Sequence, residues 1–290
     1  MRMLASFIYT TILAAGAIDA FSTNTASSHI RTSTPVVFSS APSDLDSSSS
    51  SSRTLDDIKD DLIRTCSRSS KPLLDEVRTI VRELEEKAED VGIGQASAIS
   101  GLLAGEWELV YSPEDVTRSS PFFWAFRQAF PDQSDEIFSI TDAIPAPLKE
   151  VGPAYQTIEL NDAGRGTMTG TFVSRVKVAT LGGLATSMMT TRGTITGTQG
   201  IDAIKIRVET TKPEDSTAVK TIFGPLGDTI NEALPPFPSG ETLERVKEGS
   251  SLVVMKTTFC DEGLRISRST TKYDDVFVWR RKGFASSETL

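Results

Sequence analysis

The stretch LAGEWELVYS, residues 103–112, decides the fold, because the spacing of apolar residues changes there. Before it, apolar residues recur every three or four positions, which is typical of amphipathic helices. From Trp107, Leu109 and Tyr111 onward they recur at every second position, which is typical of strands with one buried face. The sequence therefore predicts a helical region followed by a mainly β domain.

Two helices are predicted on the amino-terminal side of this stretch. Thr54 and Asp57 have the spacing of a helix cap, and the apolar residues that follow fall on one helical face. A second amphipathic segment begins near Leu73 and stops at Gly92, a residue type that commonly ends helices. We expect a helical pair over residues 54–91.

On the carboxyl-terminal side, the sequence predicts about nine short strands separated by Gly, Pro, Asn and Asp turns. So many successive strands favour a closed antiparallel barrel over residues 105–282, because an open sheet of this length leaves unpaired edges. Residues Pro121–Phe130 and Pro225–Val246 break the alternation, and we expect them to be helical insertions that cover one mouth. The predicted strands are residues 107–111, 137–141, 155–159, 167–178, 190–196, 203–211, 252–259, 264–268 and 276–279.

The amino-terminal segment has the composition of a targeting sequence. Residues 1–20 carry Arg2, an apolar run and small residues near Ala20, as a signal peptide does. Residues 21–53 are rich in Ser and Thr and predict a transit peptide or disordered linker. The order Ala20-Phe21-Ser22 resembles the bipartite presequence of algae with secondary red plastids, which implies a plastid location for a folded domain over residues 54–284. Plain secretion is the alternative.

Composition argues against several functions. The formal net charge is −9 with scattered Lys and Arg, so we expect no nucleic-acid partner. The single histidine, His29, lies in the predicted presequence, which disfavours an enzyme with a Ser-His-Asp or Cys-His site. We therefore expect the chain not to be an enzyme, and an enzyme that acts on lipid with a Lys or carboxylate base is the alternative. We expect no cofactor and no metal, and we expect Cys66 and Cys260 to be free thiols rather than a disulfide.

Three blocks in order resemble the plastid lipid-associated protein family, also called fibrillins or plastoglobulins. They are residues 103–112, the segment VGPAYQTI at 151–158, and DEGLRISR at 261–268 followed by VFVW at 276–279. The similarity spans about residues 55–281. It departs from the family at Ser269-Thr270-Thr271-Lys272, where a turn with glycine is expected. The resemblance implies a lipocalin-like barrel at thylakoids or plastoglobules that binds a prenylquinone, a carotenoid or a fatty acid.

The resemblance also suggests site residues. In lipocalin-like barrels the tryptophan of the GxW motif closes one end beneath an arginine, so we expect Trp107 to stack with Arg265, Arg268 or Arg280. The segment PFFWAFRQAF, residues 121–130, concentrates aromatic side chains that would contact a ligand, a lipid surface or simply the core. The full set of predicted ligand-binding residues is Trp107, Tyr111, Phe122, Phe123, Trp124, Met188 and Met189.

A second function is compatible with the same pattern. The chain would then be a coat or assembly protein of plastid lipid bodies or thylakoid complexes, with a filled interior and no bound ligand. Large inward side chains at alternate strand positions would indicate a filled interior, whereas a cavity of roughly several hundred Å³ would indicate a carrier.

Overall fold

The computed structural model describes residues 53–145, 148–164, 166–180, 183–269 and 275–283. The predicted signal peptide over residues 1–20 and all but the last residue of the predicted transit segment lie outside the described residues. Within the described ranges, the chain forms two helices and then eight strands with two helical insertions.

The two amino-terminal helices form as the sequence predicts. Helix α1, Leu55–Cys66, begins at a capping box in which Thr54 and Asp57 each accept a hydrogen bond from the other's backbone N–H. Helix α2, Leu74–Val91, ends at Gly92, which adopts φ 68°. The buried residues of both helices lie on one face, and the two helices pack against each other.

The eight strands form one antiparallel sheet in chain order, and the last strand pairs with the first. The sheet therefore closes into a ring, and the prediction of a mainly β, closed antiparallel domain is confirmed. The strands are β1 Gly105–Tyr111, β2 Lys149–Asp162, β3 Met168–Thr180, β4 Ala185–Gln199, β5 Ala203–Glu214, β6 Leu252–Cys260, β7 Leu264–Ser269 and β8 Val276–Arg281.

One of the predicted strands, residues 137–141, is wrong. The structure places it in a helix, Ser134–Asp142. Asp135 and Glu136 lie in the first turn of this helix, where carboxylates favour helix formation. Alternation over so few residues cannot distinguish a strand from one face of a short helix.

Both predicted insertions are helical and lie at the same end of the ring. The first joins β1 to β2 and the second joins β5 to β6, and helices of the two insertions pack against each other. The first insertion consists of a 3₁₀ helix Val116–Ser119, α3 Pro121–Ala129 and α4 Ser134–Asp142. The second consists of α5 Thr217–Phe223, a 3₁₀ turn Gly224–Leu226, α6 Gly227–Ala233 and α7 Ser239–Val246.

The two faces of the sheet bury two separate cores. The inner core joins inward side chains of the strands, such as Phe172 and Phe277, to the aromatic face of α3. The outer core lies between the helical pair and the outer face of β6, β7, β8 and β1. Its members include Leu62 and Leu84 from the helices and Phe259 and Val278 from the strands. The helical pair thus shields the strands whose pairing closes the ring.

Replacing Leu62 by alanine should destabilise the domain by about 2–5 kcal/mol, because Leu62 is fully buried in the outer core. Urea denaturation followed by circular dichroism measures the effect. The matched control is Leu73→Ala, since Leu73 is 77% exposed just before α2 and its loss should change the unfolding free energy by less than about 0.5 kcal/mol. Equal effects of the two substitutions would contradict the assigned outer core.

Candidate functional site

A belt of polar side chains crosses the interior of the ring. Trp107 on β1 pairs with Gln156, Gln156 with Ser174, Ser174 with Thr191, and Thr191 with Thr211. Directly paired residues project from the same face of a sheet, so these side chains share the interior. All five are buried. The interior therefore has a polar level beside its apolar one, which contains Ile158, Phe172, Ile195, Ile206 and Val253.

Arg265 on β7 is the charged group of this interior, and its side chain is completely buried. Its guanidinium carbon lies 5.0 Å from the ring centre of Trp107 and 4.7 Å from that of Trp279. Nη2 donates to Oε1 of Gln156 at 2.5 Å. Within the described part of the chain, Nε and Nη1 have no hydrogen-bond partner. Removal from water lowers the pKa of Arg265 to about 9, because burial penalises the charged form.

Two hydroxyl groups of the interior also lack hydrogen-bond partners. Ser174 Oγ on β3 and Thr257 Oγ1 on β6 are buried and have no hydrogen-bond partner among the described residues. Ser174 pairs with Gln156, and Thr257 pairs with Ser267 on the strand that carries Arg265. Unpartnered hydrogen-bonding groups thus occur on β3 and β6 as well as on β7, which carries the arginine.

The first insertion holds Gln156 in place. Gln156 Nε2 donates to the carbonyl of Ser119 at 3.0 Å, at the end of the 3₁₀ helix. Asp115 caps the start of that helix by accepting the Thr117 N–H at 2.9 Å, and Lys149 donates to the same carboxyl group at 2.9 Å. Although burial alone raises the pKa of Asp115, hydrogen bonds from Thr117 and Lys149 outweigh it and hold that pKa below its usual range.

A second arginine, Arg281, packs over the indole ring of Trp107. The Arg281 guanidinium carbon lies 4.3 Å from the centre of the Trp107 ring, and its nitrogens donate to the carbonyls of Ala104 and Leu102 at 2.7 and 2.6 Å. The indole N–H of Trp107 donates to the carbonyl of Leu103 at 3.0 Å. The tryptophan ring is therefore in contact with two arginines.

Strand alternation places the predicted arginines on different faces of the sheet. Arg265 lies over Trp107, as the sequence analysis anticipated. The prediction for Arg268 is corrected, because an odd number of positions separates it from Arg265 and turns it to the outer face, where it binds Glu85 at 2.9 Å. Arg280 also points outward, to Glu108 at 3.0 Å. Sequence reasoning missed Arg281, which lies two positions after Trp279 and hence on the same face.

The predicted aromatic segment packs largely into the inner core. Phe122 and Trp124 on α3 are buried, and Phe123 is half-buried. Trp124 lies 5.9 Å from Phe277 between ring centres, and its indole N–H donates to the carbonyl of Arg118 at 2.7 Å. Their placement fits the core-packing interpretation, and contact with a ligand stays a prediction for all three.

The remaining predicted ligand residues lie on different faces. Met189 pairs with the inward Val176, whereas Met188 pairs with Lys177 on the outer face, and both methionines are half-buried. Tyr111 is turned outward by a bulge after Leu109 and belongs to the outer core beneath the helical pair. Strand alternation alone would place Tyr111 inside, so the bulge is the reason for the difference.

Cys66 and Cys260 are free and buried, as predicted. They belong to different cores, the outer and the inner one respectively. Burial raises the pKa of the Cys66 thiol to about 12 and that of the Cys260 thiol to about 11. Both sulfurs are therefore neutral thiols near pH 7.

The side chains of the described residues form no cluster of three or more His, Cys, Asp or Glu residues with the spacing of a metal site. Within the same ranges, each helix is too short or too polar to span a bilayer.

Comparisons of the chain with protein-family models, with curated proteins and with solved structures give no match.

Asp115→Asn should make the unfolding free energy less dependent on acid pH. The pKa of Asp115 is lowered in the folded protein, so its ionised form stabilises the fold above the unfolded-state pKa. That contribution is lost as the pH falls through the folded-state pKa. The variant should lose roughly 1–2 kcal/mol at pH 7 and then decline less steeply below about pH 5. Urea titrations between pH 7 and pH 3 measure this dependence.

The control for this experiment is Asp132→Asn, at an exposed position of the same insertion. It should reproduce the pH dependence of the unsubstituted protein. If Asp115→Asn and Asp132→Asn gave the same profile as the unsubstituted chain, the interaction of Asp115 with Thr117 and Lys149 would not stabilise the insertion.

Proposed function

We propose that the chain is a plastid lipid-associated protein with a lipocalin-like barrel, which takes an apolar ligand into its interior and docks on a thylakoid or plastoglobule surface. The observation that carries the proposal is an exposed apolar rim at the end of the ring where the helical insertions lie. The ligand classes, a prenylquinone, a carotenoid or a fatty acid, follow from the family resemblance of the sequence.

We define the apolar rim as Leu184, Ile222, Phe223 and Leu226. Their exposed fractions are 80%, 73%, 50% and 65%. Leu184 precedes β4, and the others lie on α5 and the turn after it. The hydroxyl of Thr217 on α5 accepts the N–H of Thr186 on β4 at 2.8 Å, which ties α5 to this end of the sheet.

The rim supports docking on lipid for an energetic reason. Large apolar side chains at such exposure lose contact with water when they enter a lipid phase, and each Å² of apolar area removed from water contributes about 25 cal/mol. Clustered exposed apolar side chains commonly mark a membrane or protein interaction surface. Docking through the rim would bring the end of the ring that α3 covers next to the lipid phase, which would be the source of an apolar ligand.

The interior supports a ligand rather than a fully optimised core. Arg265 keeps unpartnered polar atoms beside the aromatic rings of Trp107 and Trp279, and the hydroxyls of Ser174 and Thr257 are also unpartnered. Buried polar groups without partners cost free energy, and their concentration at one place is typical of binding sites. A ligand with an apolar body and a polar end matches this mixed lining.

The substitutions Leu184→Ser and Ile222→Ser should together abolish most flotation with liposomes, because they remove the two most exposed apolar side chains of the rim. The measurement is the floating fraction in a density gradient with galactolipid vesicles. The matched control is Ile201→Ser, since Ile201 is 54% exposed in the β4–β5 turn at the opposite end of the ring. Loss of flotation only in the control would contradict the proposed orientation.

The alternative, a coat or assembly protein without a ligand, is favoured by a different observation. The inner core already contains Trp107, Trp124, Phe172, Phe277 and Trp279, all nearly or fully buried. Two clefts of the described surface lie beside α7, and one of them, of about 630 Å³, is lined by four glutamates together with Val208, Pro238 and Leu252.

Organic extraction distinguishes the two functions. Protein purified from a photosynthetic host is extracted and its lipids are quantified by mass spectrometry. We expect one quinone, carotenoid or fatty acid per chain, retained by the Leu184→Ser, Ile222→Ser variant because the rim lies outside the interior. A ligand-free protein that still floats with liposomes would establish the coat function instead.

A further inference from the structure

We propose that Arg265 is an anion-binding residue in the interior of the ring, and that the ligand it holds is a long-chain amphiphile with a carboxylate head. The inference rests on the proposed function, because it names the chemical class of the ligand in the same interior. It goes beyond the structural closing role that the sequence assigned to this arginine.

The charge of Arg265 is not balanced by the protein around it. Its electrostatic neighbours are the Cys260 thiol, which is neutral near pH 7, and a second cation, Arg281. The one side chain that accepts its hydrogen bond is the uncharged amide of Gln156. Among the ion pairs of the described chain, none joins a carboxylate to Arg265.

Stacking between two indole rings explains only part of this arrangement. Trp107 and Trp279 attract the cation through their ring faces, each by about 0.5–2 kcal/mol. Ring faces do not satisfy the N–H groups of Nε and Nη1, which lie in the plane of the guanidinium. An apolar side chain of similar length would fill the same slot without an unpaired charge, which is expensive to bury.

The open donors and the single positive charge favour a singly charged anion such as a carboxylate. Nε and Nη1 lie on different sides of the guanidinium, so they are separate open donors, each able to donate to one oxygen of an anion. Because Nη2 is held by Gln156, which is itself held by Ser119, the guanidinium and its open donors are fixed in orientation. The unpartnered hydroxyls of Ser174 and Thr257 offer two further donors in the same interior.

The apolar side chains next to the polar belt would contact the alkyl chain of the ligand. Phe172, Ile195 and Ile206 face the interior next to the polar belt and are almost fully buried. An alkyl chain in contact with such side chains contributes about 0.8 kcal/mol per buried CH₂ group. A carboxylate at Arg265 and an alkyl chain along the apolar level therefore describe one amphiphilic ligand.

The test compares hexadecanoate with 1-hexadecanol, which has the same chain length and no charge, on the delipidated full-length protein. Titration calorimetry should give a hexadecanoate affinity about tenfold or more above that of the alcohol, since hydrogen bonds to a charged group contribute about 1.5–3 kcal/mol. Arg265→Met should remove this preference and leave the affinity for the alcohol within about twofold.

A spectroscopic readout separates binding at the arginine from a structural role. The carboxyl carbon of ¹³C-labelled hexadecanoate should titrate at a lower pH when bound to the unsubstituted protein, because the adjacent cation favours the ionised form. In Arg265→Met the same resonance should titrate at a higher pH, as expected for a carboxyl group in an apolar site. Unchanged titration in the variant would overturn the proposal.

Two further variants keep the test decisive if Arg265→Met does not fold. Gln156→Glu places a carboxylate beside Arg265, so it should weaken hexadecanoate binding about tenfold or more by competition. Arg268→Met removes the outward arginine of the same strand and should leave the affinity unchanged. Full hexadecanoate affinity in Gln156→Glu would contradict the assignment of Arg265.

The outcomes also separate this inference from the proposed function. If both ligands bind equally well to the unsubstituted protein and to Arg265→Met, the interior holds apolar ligands and the carboxylate site is refuted. If neither ligand binds but organic extraction still yields a prenylquinone or a carotenoid, the carboxylate site is refuted and the proposed function stands; if extraction also yields no ligand, both fail. If acetate binds as tightly as hexadecanoate, Arg265 binds a free small carboxylate and the amphiphile is refuted.

Discussion

The pairing of β1 with β8 is the constraint on which the remainder of the structure depends. It closes the sheet and brings Trp107 and Trp279 from opposite ends of the domain into one interior, where they enclose Arg265. It also creates the continuous outer face on which the helical pair packs. Without this closure, β1 and β8 would be open edges and the interior around Arg265 on β7 would be exposed to water, so its charge would need no partner.

Much of the fold could be predicted because its signals are local. Capping at Thr54, the stop at Gly92 and the alternation after Gly105 depend on residues close in sequence. The strand predicted over residues 137–141 failed because helix and strand periods coincide over short segments. The orientation of Tyr111 could not be predicted, since a bulge that shifts strand register is set by packing between distant strands.

The site was less predictable than the fold because it depends on which groups lack partners. The sequence indicates an arginine over Trp107, and strand alternation explains why Arg265 and Arg281 fill that position while Arg268 does not. The link from Asp115 through Ser119 to Gln156 joins residues that no sequence motif connects. An interior that keeps a buried cation and two hydroxyls unsatisfied sacrifices stability, which is common at functional sites.

The central claim is that the ring holds a carboxylate amphiphile with its head at Arg265. A crystal structure of the protein with 2-bromohexadecanoate tests this most directly, because bromine beside the carboxylate can be located by its anomalous scattering. We predict one bromine site inside the ring, next to the guanidinium of Arg265. Bromine found only at the apolar rim or elsewhere on the outer surface would contradict the account.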